Sequence, residues 1–137
     1  MEIAKKIFVS LGYIIIAAIF YFFYEIYNSY YQEVRSSESY RYGKAIGKSI
    51  SSYYSSNSRY PSNIEKINYD NQISQHVGKV TFHDDGSFHI QLAGDSSEEG
   101  VLIFSPEEKG DAQISFSCRS LGVPTEYIPK DCTKEEG

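Results

Sequence analysis

The chain has 137 residues, with 13 basic and 18 acidic side chains and a net charge of −5. One ordinary domain's length and an acidic balance argue against a protein that grips a nucleic-acid backbone. There is no Cys/His cluster at zinc spacing, no glycine-rich phosphate loop and no G-x-S-x-G elbow. Catalysis, metal and cofactor therefore have no residues to rest on, and a non-enzyme without cofactors is expected.

The aromatic residues are unevenly spread, since eleven of the thirteen tyrosines lie at or before Tyr60. Two unlike parts are joined. From Ile7 to Tyr24 the run IFVSLGYIIIAAIFYFFY holds eighteen residues without a charge, bracketed by Lys5-Lys6 and Glu25. At about 1.5 Å per residue it covers about 27 Å, close to the roughly 30 Å hydrocarbon core of a bilayer. Ile7, Ile14, Ile15, Ile16, Phe20, Phe22 and Phe23 are the expected anchor residues. A cleaved secretory signal would need a small-x-small site, which the following EIYNSYYQEV does not offer, so an uncleaved anchor is favoured. The remaining alternative is a buried helix of a soluble core, but a run this apolar has little protein around it here to hide behind.

Basic residues flank the run on both sides, Lys5 and Lys6 against Arg35, Arg41 and Lys44, so their count leaves the orientation open. The short N-terminal flank favours an inside N-terminus. So do the two cysteines, Cys118 and Cys132, which would need an oxidising space if they pair. Tyr21, Phe22, Phe23, Tyr24 and Tyr27 would then form a belt at the outer interface.

Beyond Tyr24, Ile26, Tyr30 and Val34, then Tyr42, Ile46, Ile50 and Tyr53, recur at helical spacing with no proline before Pro61. One helix is expected to about Asn57, amphipathic in its far half, with Arg41, Lys44, Lys48 and many serines off the apolar stripe. Gly43 and Gly47 weaken it by about 1 kcal/mol each relative to alanine, and their expected use is close approach of another backbone. A G-x-x-x-G helix dimer is the weaker reading. Ser62-Asn63-Ile64-Glu65 has capping-box spacing for a short turn through Ile67.

From Val77 the period changes to two. Val80 and Phe82 alternate, Asp85-Gly86 supplies a hairpin turn, and Phe88, Ile90 and Leu92 resume the alternation. Gly94 to Gly100 reads as an acidic loop. Val101 to Phe104 is a third strand and Ile114, Phe116 and Cys118 mark a fourth. The expected fold is α+β, a four-stranded antiparallel meander on the apolar face of the long helix. Three parts follow: 1–24, cytoplasmic stub and membrane helix; 25–60, amphipathic continuation; 61–137, loop, sheet and tail. Thirteen residues separate Cys118 from Cys132. Closing such a loop is worth roughly 3 kcal/mol, with two free thiols as the alternative.

In their order, these pieces resemble a type IV pilin or pilin-like protein over nearly the whole chain. YYSSNSRYPSNIEKI is similar to that family's run at the helix end. VTFHDDGSFHIQL and VLIFSPEEKGDAQISFSC are similar to its paired strands, and CRSLGVPTEYIPKDC resembles its disulfide-closed C-terminal loop. The resemblance implies a long helix running into the sheet, a Cys118–Cys132 disulfide, and pilin subunits or pilus assembly proteins as partners. It places a single-pass protein in a bacterial inner membrane with its C-terminal domain periplasmic, or on a surface pilus if assembled. The family's prepilin leader is not matched. The one candidate cut is Gly12-Tyr13, its leader would contain the apolar IFVSL, and Ala17 stands where the family carries a glutamate. Met1 is accordingly expected to be retained and the helix to stay in the membrane.

The expected role is a structural or interaction protein, an accessory or minor pilin-like subunit that contacts pilins and modulates assembly, with a filament-forming subunit as the alternative. Tyr24, Tyr27, Tyr30, Tyr31 and Tyr127 are the candidate partner contacts, against membrane-interface anchoring and core packing as the simpler explanation. DNA binding is not expected, because the part from Glu25 onward has 11 basic and 17 acidic residues, though Arg35, Arg41, Lys44 and Lys48 form the best local cluster. A metal at His76, His83 and His89, or calcium at Asp95, Glu98 and Glu99, is likewise less natural than exposed hairpin and loop polarity.

Overall fold

A computed structural model describes residues 1–67, 69, 74–94, 100–110 and 113–134. The acidic-loop positions Asp95, Glu98 and Glu99 lie outside them. One helix, α1, runs from Glu2 to Asn57. Five strands follow: β1 (Val77–Phe82), β2 (Phe88–Leu92), β3 (Val101–Lys109), β4 (Gln113–Leu121) and β5 (Cys132–Lys134). The chain divides into two compact units, Met1–Glu33 and Val34–Gly137.

In the second unit the strands lie in sequence order in one sheet. β1 to β4 pair antiparallel, as the alternating pattern predicts. The sheet has a fifth member the pattern did not reveal. β5 joins β4 in parallel, with Cys118 opposite Cys132, and these two residues form the disulfide. Three residues are too few for alternation to register as a strand. A parallel neighbour also needs a crossover, here the tail loop that the disulfide closes.

Turn chemistry fixes the hairpin between β1 and β2. Gly86 has φ +84°, open to glycine at little cost, and the Asp85 carboxylate accepts from both the backbone N–H (2.9 Å) and hydroxyl (2.6 Å) of Ser87. The helix ends at Ser58, whose N–H still reaches the Tyr54 carbonyl at 2.8 Å and whose left-handed φ of 52° turns the following chain away from the helix axis. The next turn, Ile64–Ile67, is 3-10. Its cap is Asn63, which accepts from Lys66 N–H at 3.3 Å, in place of the Ser62 that the capping-box spacing suggests.

The core forms where one face of α1 meets one face of the sheet. Ile46, Phe88, Ile90 and Leu102 are fully buried, with Ile50, Phe104 and Leu92 nearly so. The Phe88 and Phe104 rings stack at 4.9 Å between centroids, 1° from parallel. Gly43 and Gly47 serve this contact differently from the expectation. The Phe104 ring fills the space over Gly43 and the Phe116 ring that over Gly47, so each glycine admits an aromatic side chain where a second backbone was expected. Phenyl rings reach further from a sheet than its backbone can, and a helix without Cβ atoms there lets them approach it closely.

Candidate interaction surfaces

In the first unit, Met1–Glu33, the helix is without a charge from Ile7 to Tyr24 and carries an 18-residue window of mean hydropathy 2.2, none of it buried. It is long and apolar enough to cross a membrane. Every predicted anchor residue is exposed, from Ile16 at 52% to Phe20 at 72%. A stretch with no charged face has little to turn toward water, which is what a lipid or protein covering requires. Tyr24, Tyr27 and Tyr30 are exposed as well, while Tyr31 is half-buried and stacks on Tyr27 one helical turn away, 6.5 Å between centroids.

In the second unit α1 presents a stripe that changes character along its length. Tyr42, Ile46 and Ile50 make the apolar stretch. The same face continues N-terminally as Ser39, Ser36 and Arg35, all buried. Each gives a hydrogen bond to a loop carbonyl: Arg35 Nη1 to Ala93 (2.8 Å), Ser36 Oγ to Tyr127 (2.6 Å) and Ser39 Oγ to His76 (3.4 Å). Loop backbone facing a helix must find donors, and short hydroxyls supply them without opening a gap. Many serines of this half were expected off the apolar stripe, but Ser36 and Ser39 are interior anchors. Stepping back from Tyr42 by three and by six or seven residues reaches all three positions, so the helical period carries the signal. Their polarity hid it.

Glu38 sits beside this stripe. Its carboxylate accepts from the Ser74 hydroxyl and lies 2.7 Å from His76 Nδ1. Those hydrogen bonds, the Ser74 one first, hold its pKa below the usual carboxylate value. Of the predicted basic cluster, Arg41, Lys44 and Lys48 are exposed, but buried Arg35 faces the Ala93 carbonyl. Four basic residues therefore do not make one basic surface.

The tail loop is tied down at several points. The disulfide joins its ends, Tyr127 and Ile128 pack half-buried against the core, and the Tyr40 hydroxyl donates to Asp131 Oδ2 at 3.0 Å. Burial, and then the Asp131 carboxylate, raise the Tyr40 pKa. The candidate contact Tyr127 thus belongs partly to the core, in a different unit from the other four tyrosines. On the hairpin the rings of His83 and His89 lie 4.3 Å apart, while the neighbouring Asp85 is engaged by Ser87, which lowers its pKa. Among the described residues no group of three or more His, Cys, Asp or Glu side chains is placed to hold a metal ion.

No protein-family model matches this chain, and no curated protein matches it in sequence. A long N-terminal apolar helix continuing into a mixed, mainly antiparallel sheet with a disulfide-closed C-terminal tail fits a generic pilin-like fold.

Proposed function

We propose that this protein is a membrane-anchored, pilin-like accessory or minor component of a type IV pilus system, one that contacts pilins and modulates their assembly without catalysis. The observation that carries the reading is the union, in one continuous helix, of an uncovered apolar stretch and a face that docks a disulfide-closed sheet. No carboxylate occurs between Ile3 and Tyr24. The resemblance to pilins gives a carboxylate in that stretch the task of recruiting a neighbouring subunit's terminal amine, and its absence favours a protein that stays in the bilayer. The domain carrying the disulfide then faces the periplasm of a bacterial inner membrane. A filament-forming subunit is the second reading, supported by the exposed residues Ile14 to Tyr24, which could pack in a fibre as readily as in lipid.

Mass measurement of the N-terminal peptide, from membranes and from sheared surface fibres, separates the two. A peptide beginning at Met1 and found only in membranes supports the accessory role. A methylated peptide beginning at Tyr13 and recovered from fibres refutes it.

A further inference from the structure

Among the described residues, strand edge without a neighbour occurs on β1, on the far part of β3, on the first part of β4 and on the three-residue β5, and the longer stretches are not alike. On β1 the register shifts between Val77 and Val80 and Lys79 is exposed, a bulge and a charge that discourage further pairing. β3 runs past the end of β2 with Pro106, Glu107, Glu108 and Lys109, which again combine a missing donor with charges. β4 differs. Among the described residues β5 covers it only at Cys118, Arg119 and Ser120, and the preceding Gln113–Ser117 has no proline and no charge.

Hydrogen-bonding groups on that stretch can be placed. The Ile114 carbonyl accepts from Ser51 Oγ at 3.1 Å, so the backbone of Ile114 faces away from β3. Backbone direction alternates along a strand, and Phe116, two residues on, faces the same way. Among the described residues nothing pairs with it on that side. Beside this edge, between α1 and β4, lies a groove of about 560 Å³. Ile114, Phe116 and Phe104 line its floor, and Lys44 and Lys48 its helix wall. Both lysines are exposed and neither is in an ion pair among the described residues. Lys44 lies 5.6 Å from the centre of the Tyr40 ring, and Asp131 at the same groove accepts from the Tyr40 hydroxyl through Oδ2, leaving two positive charges against one negative among Lys44, Lys48 and Asp131.

We propose that this groove binds an extended, acidic segment of a partner protein by strand addition to β4. The added strand would pair with the Phe116 backbone in line with β5 and set acidic side chains, at every second position, toward Lys44 and Lys48. Backbone pairing supplies the affinity and the two lysines choose the charge of the guest. The site lies wholly within the second unit and does not depend on the pilus reading.

The test uses the full chain in detergent micelles and three capped nine-residue probes: one alternating Val and Asp, one with Lys in place of Asp, and the Val/Asp peptide N-methylated throughout. The Val/Asp probe should bind, more weakly as salt rises, and slow hydrogen exchange at the Phe116 amide. The Lys probe should bind about tenfold more weakly or worse, and the N-methylated probe should not bind. The double variant Lys44→Glu/Lys48→Glu, changed only at exposed positions, should lose about tenfold in affinity for the Val/Asp probe with its circular dichroism intact. Failure of the Val/Asp probe to bind at roughly 1 mM overturns the proposal, as does equal binding of the N-methylated peptide or protection confined to β1 or β3.

Discussion

The placement of Gly43 under an aromatic ring leads to a substitution whose sign opposes helix propensity. Gly43→Ala should gain about 1 kcal/mol from propensity alone. A Cβ there would approach three Phe104 ring carbons at 2.9 Å or less. The ring has little freedom to yield, being 1% exposed, stacked on Phe88 and 6.2 Å from the Tyr40 ring centre. Forcing a methyl into such a site costs about 1–3 kcal/mol, and the upper part of that range applies where the neighbours are locked. The expected net is a loss of about 1–2 kcal/mol, or about 5–10 °C in the unfolding midpoint of a unit this size. Near-ultraviolet circular dichroism of the full chain in detergent reads it, since the helical signal of the first unit would obscure the far-ultraviolet transition. Phe104→Leu removes the obstructing ring atoms, so Gly43→Ala should cost less in that background, with a coupling of about 1 kcal/mol or more. Gly47→Ala is the comparison, because its Cβ would approach Phe116 Cδ2 at 2.9 Å and that ring is only half-buried. A stabilising Gly43→Ala, or one strictly additive with Phe104→Leu, refutes the reasoning.

Three further outcomes are expected. Removing the disulfide with Cys118→Ser/Cys132→Ser should lower stability by roughly 3 kcal/mol and release β5, read as a drop in the denaturation midpoint that reductant reproduces in the parent; an unchanged midpoint contradicts this. Ser36→Ala withdraws the hydroxyl that serves the Tyr127 carbonyl and should cost about 1–3 kcal/mol, while Ser37→Ala, exposed one residue later, should be near neutral; equal costs would mean that burial is irrelevant. Glu38 is held below its ordinary value by hydrogen bonds to its charged form, so the stability it adds is complete above the unfolded carboxylate pKa of 4.5 and disappears as pH falls through the lower folded value. The gap in melting temperature between the parent and Glu38→Gln should therefore close on acidification from pH 6 toward about pH 3; a constant gap sinks the assignment.

The apolar half of this architecture was readable because burial leaves a period. Ile46 and Ile50 mark a helix face, and Phe88, Ile90 and Leu92 mark a sheet face, whatever surrounds them. What stayed hidden was polar or short. Arg35, Ser36 and Ser39 are interior because loop carbonyls need donors, a demand set by partners many positions away and invisible in local pattern. β5 is three residues long and follows from the closing of the tail loop, which periodicity cannot express. The candidate partner tyrosines divide in the same way: those before residue 33 follow from composition, whereas the half-burial of Tyr127 depends on where the tail loop lands.

The hydroxyl of Ser36 and the carbonyl it serves are 91 residues apart, as are Tyr40 and Asp131. At a synthesis rate of about 5–20 residues per second, the helix is made some 5–18 s before the segment that completes it. Through that interval the Ser36 hydroxyl lacks the tail carbonyl that later accepts from it, and the strand that will cover the end of β4 has not emerged. A nascent chain in this state exposes the same helix face and strand edge that the finished protein keeps largely covered. Order of emergence thus gives the protein a brief early form with a different set of accessible surfaces, closed when the second cysteine meets the first.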